Sequence, residues 1–219
     1  MEKNRGSRII AIIALIAAVT GLTLGFAAFS NTLNISSSAN VNPDPDTFKI
    51  LFSSHESELK TDKVVGKTPT NSDATAGEAE ISNTGSTPVI SGLTAGFIEP
   101  GTSVTYDFYV HNAGEYEGYL KSINFANVDG ENNPKICTAV DPSNTTASLV
   151  SKACEDISLT VKVGDTTATG TETNLNQLLV RKNSTPVTVT INYADNGNRA
   201  DGDFYVEFGD ISFTYSSAP

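Results

Sequence analysis

Three stretches of the chain alternate apolar and polar residues with a period of two. Val104, Tyr106, Phe108 and Val110 alternate with Thr105, Asp107, Tyr109 and His111. Ile157, Leu159, Val161 and Val163 alternate with Ser158, Thr160 and Lys162, and Val187, Val189, Ile191 and Tyr193 with Thr188, Thr190 and Asn192. Successive side chains of a strand point to opposite faces, so each run has one face to bury and one to wet. The pattern describes antiparallel sheet solvated on one side and argues against a helical bundle. A fourth block shifts phase partway: Phe204, Val206 and Phe208 share one phase, and Ile211, Phe213 and Tyr215 the other. A bulge at Gly209-Asp210 would bend the strand and let it serve two sheets.

Further candidate strands are Thr47–Ser53, Ala79–Ser82, Pro88–Ile90 and Tyr116–Asn127. Turn signals separate the runs at Glu99-Pro100-Gly101, Asp129-Gly130, Val163-Gly164-Asp165 and Asp195-Asn196-Gly197. Pro followed by Gly suits a type II turn. Many short strands so punctuated predict an all-β sandwich or barrel. Two short helices are expected, one over Ser143–Cys154 with Ser143 as N-cap, the other over Thr173–Arg181 with Leu175, Leu178 and Leu179 on one side. The polar stretch His55–Gly77 reads as a long loop or weak edge hairpin.

The amino terminus is different. Ile9 to Phe29 is a run of 21 uncharged residues preceded by Lys3, Arg5 and Arg8. It is long enough to span a bilayer, and the basic flank keeps that end in the cytoplasm, so the remainder of the chain is expected outside. The run is either a cleaved signal or a retained anchor. Small residues at Gly25, Ala27, Ala28 and Ser30 suit signal peptidase, and Thr20, Gly21, Thr23 and Gly25 weaken the second half as a lipid-facing helix, which favours cleavage near Ala27 and Ala28. Membrane contact is expected through this segment alone. The expected organisation is a leader or anchor over 1–30, an N-terminal strand and Pro-rich hinge over 31–46, and a β-domain over 47–219.

The net charge of the chain is −11. Residues 1–30 carry a net +2, which leaves −13 on the rest. So acidic a surface repels phosphate backbones and excludes nucleic acid as a partner. The chain holds 22 Ser, 26 Thr and 19 Asn but no Trp, two His and two Cys, which leaves little material for acid–base chemistry or a multi-Cys zinc site. Outside the cell an even cysteine count predicts a disulfide between Cys137 and Cys154. Asp195, Asn196, Asn198, Asp201 and Asp203 crowd one turn, and Asp129, Glu131, Asn132 and Asn133 another. Both offer hard oxygen ligands for calcium, with Asp195, Asn198, Asp201 and Asp203 the candidates, but the EF-hand spacing is absent and an Asn-Gly hairpin turn explains the first cluster more simply. Glu115 and Glu117 read as surface carboxylates. Asn34, Asn144 and Asn183 fit the glycosylation triplet at a frequency close to chance for this composition.

Just past the leader, Leu33, Ile35, Ala39 and Val41 share one strand phase, and Asn42-Pro43-Asp44-Pro45-Asp46 then breaks it. Such a strand on a hinge either joins its own sheet or enters that of a neighbour, as a donor strand. Exchange that does not close into a ring makes filaments.

Residues Gly25-Phe26-Ala27-Ala28-Phe29-Ser30-Asn31 resemble the end of the SipW-type signal peptide of the TasA/camelysin group of exported proteins. The stretch from Gly92-Leu93 through Ile98-Glu99-Pro100-Gly101 to Phe108, Val110, Asn112 and Gly114 resembles that group's turn, core strand and Asn/Gly turn, and the blocks Tyr116–Phe125 and Phe204–Tyr215 look like later strands. The resemblance covers about a third of the chain. It implies a jelly-roll-like sandwich, export, and self-association into extracellular matrix or surface fibres of a biofilm. The two cysteines and the polar 55–77 region depart from its pattern. A membrane-anchored or secreted binding module, an adhesin or carbohydrate binder, is the second reading, and a camelysin-like protease the third. His55 and His111 do not form the H-E-x-x-H pair that a zinc protease needs, and both read as solvated. No catalytic residue, metal centre or cofactor is expected.

Overall fold

A computed structural model describes residues 48–70, 72–84, 87–128 and 133–219. The expected leader with Ala27 and Ala28, the segment of Leu33, Ile35, Ala39 and Val41, its hinge, and Asp129, Glu131 and Asn132 lie outside the described residues. Within them the chain is mostly β, in three sheets, with one short helix.

The first strands are β1 (Ile50–Ser53), β2 (Val64–Val65), β3 (Thr75–Ala76), β4 (Glu78–Ser82), β5 (Val89–Ser91) and β6 (Thr94–Phe97). Next come β7 (Thr102–Asn112), β8 (Gly118–Phe125) and β9 (Lys135–Ala139), then helix α1 (Ala147–Glu155). The chain closes with β10 (Ile157–Val163), β11 (Thr166–Ala168), β12 (Gln177–Leu179), β13 (Asn183–Tyr193), β14 (Phe204–Phe208) and β15 (Ile211–Ser216).

The three alternating runs of the sequence are β7, β10 and β13, and they lie side by side. The five-stranded sheet runs β1-β7-β13-β10-β11. β7 and β13 pair along their full length, from Thr102 opposite Tyr193 to Asn112 opposite Asn183. Val104, Tyr106, Phe108 and Val110 are buried, as are Val187, Val189, Ile191 and Tyr193, while the residues between them are only half-covered or exposed. The second sheet runs β12-β8-β15-β5-β4-β2 and the third β3-β6-β14-β9.

Aromatic rings join the first sheet to each of the others. The Phe52 ring lies 5.0 Å from Phe108 and 4.9 Å from Phe213 of β15, both edge-on. Tyr193 meets Phe97 of β6 and Phe204 of β14 in the same manner, at 5.6 Å each. Edge-on pairs contribute about 0.5–1.5 kcal/mol beyond the area they bury.

The phase shift near the carboxy terminus separates two strands of two sheets. β14 pairs with β6 and β9, and β15 with β8 and β5. At the crossover, the Ala126 N–H donates to the Asp210 carbonyl at 2.8 Å. A Cβ on Gly209 would stand 2.1 Å from the Ala126 carbonyl oxygen, a backbone atom that cannot swing aside, so only glycine fits there.

The helices depart from expectation. Helix α1 begins after Thr146, not Ser143. The Asp141 carboxylate accepts from the Ser143 N–H at 3.0 Å and the Asn144 side chain at 2.6 Å, which holds those residues in a turn before the helix starts. Thr173–Arg181 forms no helix: Asn174 adopts φ +59° and residues 177–179 pair with β8 as β12. Leu178 and Leu179 therefore fall on opposite faces, 41% and 1% exposed. The 55–77 stretch holds two short strands that pair elsewhere, β2 with β4 and β3 with β6, so it is not a hairpin. Gly197 turns the chain at φ +94°, yet β13 and β14 on either side belong to different sheets, so the Asp195-Asn196-Gly197 turn is not a hairpin turn either.

Candidate functional site

β7 ends at Asn112, whose side chain is buried, 1% exposed. Its Nδ2 donates to the Tyr116 carbonyl at 2.8 Å and the Leu179 carbonyl at 3.0 Å, and its Oδ1 accepts from the Gly114 N–H at 3.2 Å. The two carbonyls fix which end of the amide carries nitrogen. One side chain thus shapes the 113–117 turn and ties it to the end of β12. Lys182, at φ +56°, leads the chain into β13. Its Nζ donates to the Ala113 carbonyl at 3.0 Å and lies 2.6 Å from Glu115 Oε1. The hydrogen bond from Lys182, with its charge, holds the Glu115 carboxyl below the usual carboxylate range.

This corner borders a shallow, open depression of about 350 Å3, lined by Glu115, Tyr116, Glu117, Tyr119, Arg181 and Ser217. Tyr116 is 60% exposed. The Tyr119 hydroxyl donates to Glu117 Oε2 at 3.4 Å, and Lys121 Nζ stands 5.7 Å from the Tyr119 ring centre. Leu178 lies opposite Tyr119 in the β12–β8 register and, with Val180, leaves apolar surface exposed beside the depression. In the sequence Glu115 and Glu117 read as ordinary surface carboxylates, and nothing there gives Tyr116 or Tyr119 a role. Arg181 arrives from a segment expected to be helical, so no local signal groups it with the tyrosines.

The remaining candidate residues lie elsewhere. Cys137 of β9 and Cys154 of α1 form a disulfide, with Cα atoms 6.0 Å apart. It fastens the last turn of the helix to the outer strand of the third sheet. Asp201 is engaged at the other end of α1, accepting from the Thr146 N–H at 2.8 Å and its hydroxyl at 2.6 Å. Its carboxyl is held below the ordinary range by these hydrogen bonds. The Asn198 carbonyl accepts from the Tyr193 hydroxyl at 2.8 Å, and Arg199 pairs with Glu99. Asp195 and Asp203 flank this loop. Among the described residues no group of three or more His, Cys, Asp or Glu could hold a metal ion. His111 Nε2 lies 2.8 Å from the His55 carbonyl, and the His55 ring contacts the Ser54 hydroxyl at 2.9 Å. Among the described residues no helix is long and apolar enough to cross a membrane.

Among the described residues each sheet is open, so β1, β11, β12, β2, β3 and β9 are edge strands there. At β1 the Asn83 side chain takes the place of a neighbouring strand. Its Oδ1 accepts from the Phe52 N–H and its Nδ2 donates to the Phe52 carbonyl, each at 2.8 Å.

No protein-family model, curated protein or solved structure matches the chain.

Proposed function

We propose that this chain is an exported structural protein that self-associates into extracellular or cell-surface fibres by adding a strand of one copy to a sheet edge of the next. On this reading residues 1–30 are a leader handled by signal peptidase, and 47–219 form a jelly-roll-like sandwich of the TasA/camelysin type. The five-stranded sheet is one layer, and the other two sheets together make the second. The ring contacts of Phe52 with Phe213 and of Tyr193 with Phe97 support that layering.

The observation that carries the fibre reading is the set of sheet edges left open among the described residues. An edge strand offers unpaired backbone groups to any extended segment of suitable pattern. The segment Leu33–Val41, ahead of the hinge, supplies such a pattern. Burying Leu33, Ile35 and Val41 in a neighbour would contribute about 1.5–3 kcal/mol each, with backbone pairing in addition.

Electron microscopy of the purified mature chain, intact and lacking Leu33–Val41, tests this. The intact chain is expected to form filaments and the shortened chain to remain a folded monomer. Filaments of normal length from the shortened chain would rule out strand exchange. Casein turnover with and without a chelator tests the protease reading, and none is expected.

A further inference from the structure

We infer that Asn196-Gly197, in the loop between β13 and β14, is a site of spontaneous modification: the side-chain amide is lost as ammonia, and a carboxylate takes its place beside Asp156 at the end of helix α1. The inference is independent of fibre formation.

Three observations carry it. First, this is the sole Asn-Gly pair in the chain. Deamidation starts when the backbone nitrogen of the next residue attacks the side-chain carbonyl carbon. A Cβ on that next residue hinders the approach, and glycine has none. The surroundings are open as well, since a Cβ built on Gly197 would meet nothing within 4 Å. Second, the loop leaves the pair free to reach the reactive geometry. Asp195, Asn196 and Gly197 are all exposed, and the N–H groups of residues 195–199 donate to no backbone carbonyl among the described residues. Other asparagines are held. Asn83 bonds both backbone groups of Phe52, and Asn112 is buried among three partners. The Asn183 side chain does accept from the next N–H, that of Ser184, at 2.9 Å, but Ser184 is fixed in β13 opposite His111. Third, the product falls on a sensitive place. Asn196 Nδ2 donates to Asp156 Oδ1 at 3.4 Å, and Asp156 Oδ2 is buried without a hydrogen-bond partner. The Asp156 N–H closes α1 on the Ala153 carbonyl at 3.1 Å, and its carbonyl accepts from the Ala194 N–H at 3.0 Å.

The reaction balances with water alone. The Gly197 nitrogen bonds to Cγ of Asn196, its proton leaves with the amide nitrogen as ammonia, and a cyclic imide closes. Water then opens the imide at either carbonyl. Cleavage at the side-chain carbonyl gives aspartate, and cleavage at the backbone carbonyl gives isoaspartate, with the chain rerouted through the side chain. Either product carries one more negative charge. A carboxylate at 196 has no proton for Asp156 and repels it, so an attraction becomes a like-charge contact. Isoaspartate also lengthens the path to Asn198, whose carbonyl holds the Tyr193 hydroxyl, and to Asp201, which holds Thr146. Both products therefore loosen the junction of α1 with this loop.

The test is peptide mass spectrometry of the purified chain before and after storage in warm, mildly alkaline buffer, folded and in urea. In folded protein Asn196 is expected to react within about threefold of its rate in unfolded protein, because a loop this open costs little to rearrange. It is also expected to react at least about tenfold faster than any other asparagine, and Gly197→Ala should slow it by about tenfold or more. Asn196→Gln keeps an amide but reacts far more slowly, and it replaces Gly197→Ala if that variant fails to fold. Thermal unfolding of the stored parent should show a lower midpoint than that of the fresh protein, and stored Asn196→Gln should show no change. The proposal is overturned if folded protein keeps Asn196 intact while unfolded protein loses it, or if another asparagine reacts first. A fully modified chain with an unshifted midpoint would overturn the contact with Asp156 as its consequence.

Discussion

The side-chain amide of Asn112 donates a 3.0 Å hydrogen bond to the carbonyl of Leu179, 67 residues further along the chain. It joins the end of β7, one of the two longest strands, to an edge strand of a different sheet. Replacing Asn112 by Ala leaves the Leu179 carbonyl and the Gly114 N–H without this partner in buried positions, and the Tyr116 carbonyl without it in a half-buried one. The expected loss is about 3 kcal/mol in urea unfolding. Asn112→Asp should cost more, because a carboxylate has no donor for the two carbonyls and adds repulsion. Equal stability of Asn112→Asp and the parent would contradict this account.

The disulfide closes a sequence separation of 17 residues. Constraining a loop of that size in the unfolded chain stabilises the fold by roughly 3 kcal/mol. Replacing both Cys137 and Cys154 by Ala should lower stability by that amount and steepen the urea dependence of unfolding, because the released unfolded chain exposes more surface. Helix α1 should be the first element to lose amide protection, because it loses its covalent tie to β9.

Helix α1 also depends on pH through Asp201. Its hydrogen bonds from Thr146 depress the folded-state pKa of the carboxyl. The stabilisation is therefore fully present above the ordinary carboxylate value, about 3.9, and is lost as pH falls through the lower folded value. The Thr146 amide resonance should shift over that acidic window and stay fixed at neutral pH. In Asp201→Asn the acidic shift should disappear; an unchanged titration in that variant would assign the effect to another group.

Asn83 closes part of the β1 edge by bonding both backbone groups of Phe52. Asn83→Ala should cost about 1–2 kcal/mol and also leave the Phe52 N–H and carbonyl without their Asn83 partner on that edge. Sedimentation velocity should then show more self-association than in the parent at equal concentration. A variant as stable as the parent and no more self-associated would mean that the edge is protected by something else.

Only a glycine fits at position 209. Gly209→Ala forces the crossover away from the Ala126 carbonyl and should destabilise the protein by roughly 1–3 kcal/mol, as overpacking does. Thermal unfolding measures this, and an unshifted midpoint would show that the crossover is not fixed by that approach.

How much of the fold is legible in the sequence depends on the range of each interaction. The alternation in β7, β10 and β13 and the phase shift at Gly209-Asp210 are local patterns, and the structure has strands at those places. The short strand β6 escapes sequence reading because Gly96 interrupts its pattern, and β9 because Lys135–Ala139 is half-buried or exposed throughout. Leu175, Leu178 and Leu179 suggest a helix by spacing, but the need to pair the free side of β8 overrides it. The tyrosine corner is not legible at all. It depends on Asn112 reaching Leu179 and on Lys182 reaching Ala113, and no local rule specifies such contacts.

The crossover at Gly209-Asp210 also has a mechanical consequence. A pull on the carboxy terminus loads β15, which is bonded to β8 along its length and to β5 at Ile211 and Ser212. Two residues upstream the same tension reaches β14, likewise bonded on both sides but in another sheet. Stretching from that end has to break the ladders of two different sheets in succession, so the tail of the chain is held by more than one sheet.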